Sequence, residues 1–570
     1  MKKTLSLVVC MFLIVSILAG CGAGGNNSTA TAAADSATVA EASTPEKPEP
    51  ITFTMFTSTA ATQYDNYESP VAKKMQEITG VTLKIEHAVG DPKEKIALLA
   101  ASGEYPDLVY AQEYINTLVD AGALIKLDEM IEKSGENIKK FYGQYLQRHK
   151  WSLEDPSIYY VGTSALETTL TDAPIGFGLQ HAVVKELGYP KLTTVKDFEN
   201  AIKAYKDKYP TIDGQATIGL SLLADDWRIW ISTINPGLYS TQATVQSGDC
   251  VIEDVNDKNY TLKEHFFRDD EKEYFRWLNH MNDIGLLDKE SFVQKYDQYI
   301  AKLSSGRVLA ITDAAWEVDE AQRALLGAGK GDRTWGRYPI VLREGLLNAE
   351  IGDTGYSPQS GVAITKSCKN PERAFKFLDW LCTDESQILR FWGVENKDYV
   401  IENGKRVKTP ERKKAEKEDA DFPKKTGIGI YTHPFPYRGD TAVDASGQSL
   451  TAKSKEDVIS AYTPYEKETL TGYGVKMWID LWPSADKFPI PPWGAGWTIQ
   501  PTPDSEESVI QQKIDQLQFK YVPKIILVSP DKFDSTYDEF LNEMDKAGIK
   551  KLEKSMSKKY ADRVKLWSEK

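Results

Sequence analysis

Cysteine is scarce in this chain. Beyond position 21 only Cys250, Cys368 and Cys382 occur in 570 residues. That odd number permits one disulfide and excludes a disulfide framework at this size. The six histidines, at 87, 149, 181, 265, 280 and 433, never fall at His-x-His or His-x-x-x-His spacing, so no zinc site is indicated. Positive charge is also short, with 69 Lys and Arg against 83 Asp and Glu and a net charge of −14. Residues 1–20 hold two Lys and no acid, which leaves −16 without them. So acidic a surface repels nucleic acid and anionic lipid and excludes both as partners. No apolar run after the first twenty residues approaches the roughly 20 needed to span a bilayer.

Catalytic signatures are missing too. Gly327-Ala328-Gly329-Lys330 is followed by Gly331, where a phosphate loop needs Ser or Thr to hold magnesium. Ser360 has Pro358 where a nucleophile elbow needs Gly. With 83 acidic residues, carboxylate spacing alone neither supports nor dismisses a glycosidase pair. The residues indicate no catalytic group, no cofactor and no metal. These absences lean toward a binding protein.

What is present begins at the amino terminus. Lys2 and Lys3 precede an apolar run from Leu5 to Ile17, the size of a signal-peptide core and too short to span a membrane. Leu18-Ala19-Gly20-Cys21 then reads as a bacterial lipobox. It predicts export, cleavage of the signal peptide 1–20 and lipidation of Cys21. The product would sit on the extracellular face of the cytoplasmic membrane, held by the lipid alone. Residues 21–49 are small, polar and Pro-flanked, a flexible tether that cannot bury apolar surface.

Order begins at Ile51, where ITFTMF alternates as a strand. Ser69, Pro70 and Gly80 punctuate a helix with Val71, Met75 and Ile78 on one face. Val81, Leu83 and Ile85 alternate again, Asp91 to Glu94 open a second helix that Gly103 closes, and Asp107 to Tyr110 form a third strand. This β-α-β-α-β order predicts a parallel sheet. Its ligands would collect at the carboxyl ends of the strands, near Thr57, Ser58 and Tyr110. A second α/β run starts near residue 166. It has helices at 180–187, from Thr194 onward, at 271–285 and at 289–304, and strands at 307–312 and 338–342. Gly361 to Ile364 leads into a helix capped by Asn370. The charged stretch 404–427 reads as a loop or protrusion, and two amphipathic helices end the chain.

Aromatics are plentiful, with 13 Trp and 28 Tyr, and three segments mix them with charge. These are Asp225-Asp226-Trp227-Arg228-Ile229-Trp230, Asp313-Ala314-Ala315-Trp316-Glu317 at the end of a buried strand, and Trp493-Gly494-Ala495-Gly496-Trp497. A sugar presents hydroxyls and flat C–H patches. Its site needs ring faces to stack on, and carboxylates, amides and Arg to pair with the hydroxyls. The candidate ligand contacts are Trp316, Asp313, Trp227, Trp230, Asp226, Arg228, Thr57, Ser58, Tyr110, Tyr356, Trp493 and Trp497. The alternative for each aromatic is core packing.

Several of these segments resemble family 1 extracellular solute-binding proteins, the substrate receptors of carbohydrate ABC importers. They are the lipobox and tether, Gly103-Glu104-Tyr105-Pro106-Asp107-Leu108-Val109, Leu187-Gly188-Tyr189-Pro190 with Thr193 to Phe198, and Gly306-Arg307-Val308-Leu309. Trp316 and the stretch Ser360 to Trp380, around Pro371-Glu372-Arg373-Ala374-Phe375-Lys376-Phe377-Leu378, complete the set. The nearest subgroup is the long oligosaccharide-binding lipoproteins of Gram-positive bacteria. The resemblance covers about 50–570 and implies an α/β, two-lobe, periplasmic-binding-protein-like (type 2) fold. In it, lobe 1 takes 50–165 plus 357–400, and lobe 2 takes 166–356 plus 401–570. The implied function is a monomer that captures an oligosaccharide between the lobes and delivers it to an ABC importer permease. A glycoside hydrolase or lyase, or a receptor for a peptide or another small molecule, is the alternative. Long relatives that bind calcium carry an Asp/Asn-rich loop where this chain has Tyr209-Pro210-Thr211-Ile212-Asp213-Gly214-Gln215. That departure predicts no structural calcium there.

Overall fold

A computed structural model describes residues 48–60, 67–166, 172–243, 245–247, 250–252, 257–352, 356–358, 360–432, 435–488, 499, 501 and 505–568. Cys21, the signal segment, most of the tether, Trp493 and Trp497 lie outside the described residues.

Two sheets organise the protein. Their strands, in chain order, are β1 (Ile51–Ala60), β2 (Val81–Ala88), β3 (Leu108–Tyr110), β4 (Tyr160–Gly162), β5 (Phe177–Gln180), β6 (Ile218–Ser221), β7 (Val308–Thr312), β8 (Trp335–Tyr338) and β9 (Gly361–Ile364). The first sheet runs β2-β1-β3-β9-β4, with β1 parallel to both β2 and β3 and β9 antiparallel to its neighbours. The second runs β8-β5-β7-β6, with β7 parallel to β6 and antiparallel to β5.

The period-2 alternation of β1 explains how the first sheet is covered. Phe53 and Met55 join one apolar core with Leu108, Tyr110, Val362 and Ile364. Phe56 points the other way and packs with Val109, Ala363 and Tyr160. Both faces are buried, as a parallel sheet between crossover helices requires. The helix Pro70–Thr79 starts where the sequence signals it. Ser69 Oγ accepts the Ala72 N–H at 3.2 Å. Gly80 ends that helix at φ 71°, left-handed backbone that glycine adopts without strain. Thr194 and Asp197 form a reciprocal capping box on the helix Val195–Lys208.

Two expectations change. The strand expected at 338–342 lies instead at Trp335–Tyr338. Pro339 has no N–H to continue the ladder, and Ile340 to Leu342 remain buried beside the Thr194 cap, with the Val195 N–H on Val341 O at 2.9 Å. The expected loop 404–427 is a hairpin (Tyr399–Glu402 with Lys405–Lys408) followed by the helices Pro410–Glu418 and Phe422–Thr426. Its charge misleads because Arg412 is buried and donates to the Phe391 and Trp392 carbonyls, satisfying the end of the helix Asp384–Trp392. The region after 401 does not pack on one core alone. Phe422, Ile428, Tyr431 and Phe435 pack in the core of the first sheet, whereas Tyr462, Leu470 and Trp478 belong to the second.

The carboxyl-terminal region carries a helix the sequence pattern did not signal, Glu506–Leu527, with Pro523 inside it. It packs with the expected helices Phe533–Ala547 and Ile549–Ser568 into the second core, where Tyr521 stacks on Phe540 with centroids 5.4 Å apart. The last helix also reaches the first sheet's surroundings. Gln147 Nε2 donates to Leu566 O at 3.2 Å, and the Arg148 guanidinium lies 5.3 Å from the Trp567 ring. Cys368 and Cys382 are buried free thiols. Among the described residues no helix is long and apolar enough to cross a membrane.

Candidate functional site

The loop after β6 and the turn after β7 bring two of the three aromatic-acid segments together. Arg228 is the joint. Its Nε donates to Glu317 Oε2 at 2.7 Å and its Nη1 to Asp226 Oδ2 at 2.6 Å. Its guanidinium lies 5.0 Å from the Trp227 ring and 4.8 Å from the Tyr296 ring. Two carboxylates on the edges and two aromatic rings against the plane fix the group in one orientation. Trp227 and Trp316 stay 54% and 51% exposed, a large area of indole to leave in water beside charged groups, and the kind of surface that marks a ligand contact.

The supporting residues are buried. Glu317 sits in the first turn of the helix Ala315–Gly327. Burial raises its carboxyl above the usual range, and Arg228 opposes that rise. Asp313 does not project as the strand-end argument expects. Its Oδ2 accepts the Tyr299 hydroxyl at 2.7 Å, its Oδ1 accepts the Ala314 N–H at 2.7 Å, and burial pushes its carboxyl up to about 7. Asp313 therefore anchors the turn that presents Trp316. Trp230 is turned inward, packed on the second core with its edge toward His265 at 5.9 Å between centroids.

The strand ends of the first sheet present a quieter surface. Thr57, Ser58 and Tyr110 are all buried. Ser58 Oγ donates to Gln112 Oε1 at 3.0 Å, and the Tyr110 hydroxyl lies 3.2 Å from Ser360 Oγ. Gln112 holds φ at 48°, an uncommon conformation for a residue with a side chain and one that collects at functional positions. Tyr356 is buried with its hydroxyl 3.3 Å from His149 Nε2 and its ring 5.0 Å from Tyr145. Burial lowers His149 to about 4, so this imidazole is neutral at physiological pH.

Sequence reasoning missed Tyr296, Gln112, Tyr145 and His149. Tyr296 lies 68 positions from Arg228, and nothing local to either one signals the contact. Among the described residues no group of three or more His, Cys, Asp or Glu is placed to hold a metal ion. In the 209–215 turn, Asp213 is taken by Lys330 at 2.8 Å.

The architecture is that of two-lobe solute-binding proteins. The structure of S. pneumoniae FusA in complex with kestose aligns at a TM-score of 0.62, with 16% identity, over 90% of this chain and 99% of that one. The model of the bacterial extracellular solute-binding protein family matches residues 71–393, and the chain belongs to that family. Lipoprotein LipO of Bacillus subtilis (strain 168) is 23% identical over 361 residues, 59% of this chain and 65% of LipO. The fructooligosaccharide ABC transporter substrate-binding protein FusA of Streptococcus pneumoniae serotype 4 is 22% identical over 269 residues, 44% of this chain and 47% of FusA. The chain thus spans about two thirds and about half of the lengths of these curated relatives.

Proposed function

We propose that this protein is a lipid-anchored extracellular receptor that captures an oligosaccharide between two lobes and delivers it to an ABC importer permease. The observation that carries the reading is the pair of half-exposed indoles, Trp227 and Trp316, flanking the Arg228–Glu317–Asp226 cluster at the carboxyl ends of β6 and β7. Indole faces stack on sugar C–H patches, and the cluster offers donors and acceptors for hydroxyls. The sugar-transport names of related proteins point the same way.

In this reading the first lobe takes 50–165 and 357–435, and the second takes 166–356 and 462–568. The ligand lies between the carboxyl ends of β1 and β3 and those of β6 and β7. Contacts to both lobes exist only when they are closed, so binding shifts the population toward the closed state. Micromolar affinity needs about −8 kcal/mol net, within reach of two stacked indoles and several charge-assisted hydrogen bonds after ordering costs. Cys21 carries the lipid that keeps the monomer beside its permease, and residues 22–49 set its reach. A receptor is favoured over a hydrolase because Asp226 and Glu317 share one arginine, which leaves neither as an independent acid or nucleophile.

Calorimetry with a panel of linear and branched oligosaccharides, run beside an assay for new reducing ends, tests the proposal. Saturable binding without turnover is expected. Turnover, or binding of peptides and no saccharide, would sink it.

A further inference from the structure

The charge around the indoles restricts what they can hold, given the receptor reading above. Arg228 has two of its three guanidinium nitrogens committed, Nε to Glu317 and Nη1 to Asp226. Lys295 is paired with Asp225, and Arg323, further along the helix from Trp316, with Asp319. Glu320 is exposed four residues after Trp316, on the same face of that helix. The platform is thus bordered by more carboxylates than cations, and each of these cations already has an acidic partner.

Among the described residues, the surface assigned to the other lobe brings no compensation. Thr57, Ser58, Gln112, Tyr110 and Ser360 are hydroxyls and an amide. Arg148, beside Tyr356, stacks 4.8 Å from the Tyr145 ring and donates to the Tyr356 carbonyl. Arg337 is buried in β8, where its Nε and Nη2 have no hydrogen-bond partner among the described residues, so it lies beneath the surface and not on it.

We propose that this site selects uncharged oligosaccharides and rejects those of the same backbone that bear uronate or sulfate groups. A neutral hydroxyl can donate to Asp226 or Glu317 and accept from the uncommitted Nη2 of Arg228. Among the described residues at this surface, an anionic group finds no exposed cation without an acidic partner and meets like charges instead, so discrimination comes from repulsion built into the site. Asp226 is the adjustable element, because its side chain is 44% exposed and its removal frees Nη1 without opening a core.

The test takes each neutral oligosaccharide that binds and compares it, by calorimetry, with its C6-oxidised uronate form and with the methyl ester of that form. The oxidised form should bind at least about tenfold more weakly, the size of one modest like-charge contact. The uncharged ester should recover most of the loss, and Asp226→Asn should narrow the gap. Three results would overturn the inference while leaving the receptor reading intact: equal affinity for the oxidised form, equal loss with the ester, or an acidic oligosaccharide that binds more tightly than its own ester. Failure to bind any saccharide would remove the receptor reading and this inference with it.

Discussion

Arg228 Nε and Glu317 Oε2 lie 2.7 Å apart and tie the loop after β6 to the first turn of the helix Ala315–Gly327. Their side chains are 16% and 4% exposed, so the pair is largely withdrawn from water. Breaking such a pair from one side leaves a buried, uncompensated charge. Arg228→Ala is expected to destabilise the protein by about 3 kcal/mol in urea unfolding. Arg228→Met with Glu317→Gln should cost less than Arg228→Ala alone. A double variant whose loss equals the sum of the two single losses would show that the pair does not couple.

Trp316 gives the opposite separation of effects. Its indole is 51% exposed, so Trp316→Ala should change stability by no more than about 0.5 kcal/mol. The same variant should weaken saccharide binding by about tenfold or more, the worth of a stacked ring. Unchanged affinity would take Trp316 out of the site.

Arg390 predicts how the segment around Tyr431 and Pro436 is fastened. It is fully buried, and it donates to Tyr431 O at 2.9 Å, Pro436 O at 2.6 Å and Leu381 O at 3.3 Å. Arg390→Met strips Tyr431 O of this donor and leaves Pro436 O and Leu381 O with Gln387 Nε2 alone, and should cost about 3 kcal/mol. Limited proteolysis should then cut near 431–436 first.

Glu350 makes stability depend on pH in a defined direction. Burial pushes its carboxyl up to about 8 from an ordinary value of 4.5, against the opposing pull of the Ile175 N–H. The folded state therefore binds more protons than the unfolded one between those values, and stability falls as pH rises through that window. Asp313, held up near 7 by burial, adds to the same slope. Glu350→Gln keeps the Ile175 contact and should flatten the decline in unfolding midpoint between mildly acidic and mildly alkaline pH. Each pKa unit of difference removed corresponds to about 1.4 kcal/mol. An unchanged slope would count against a buried neutral carboxyl.

The Asp213–Lys330 ion pair occupies the 209–215 turn, where the sequence predicts no structural calcium. Chelation by EDTA should leave the thermal midpoint unchanged, and added calcium should not raise it. A chelator-induced drop would reveal a structural ion.

Local signals were the ones legible in the sequence. Ser69, Pro70 and Gly80 bounded their helix because a cap, a fixed φ and a left-handed residue each act within a turn of where they sit. The alternation through Phe53, Met55 and Phe56 foretold a strand, and the structure buries it on both sides. The charged 404–427 stretch misled because composition reports the average wetness of a segment, whereas Arg412 buries its guanidinium against two carbonyls of another helix.

By itself the sequence determined the parallel β2-β1-β3 unit, the boundaries of capped helices such as Pro70–Thr79 and Val195–Lys208, the likeness to sugar receptors and the two segments that carry exposed indoles. Only the tertiary structure decided that Trp316 faces water while Trp230 faces the core, that Asp313 anchors instead of reaching out, and that Tyr296 packs on Arg228. The physical reason is range. Caps, turns and periodicity depend on neighbours within a few residues, whereas which face of an indole is covered depends on surfaces brought from 68 positions away or more, and no local pattern encodes them.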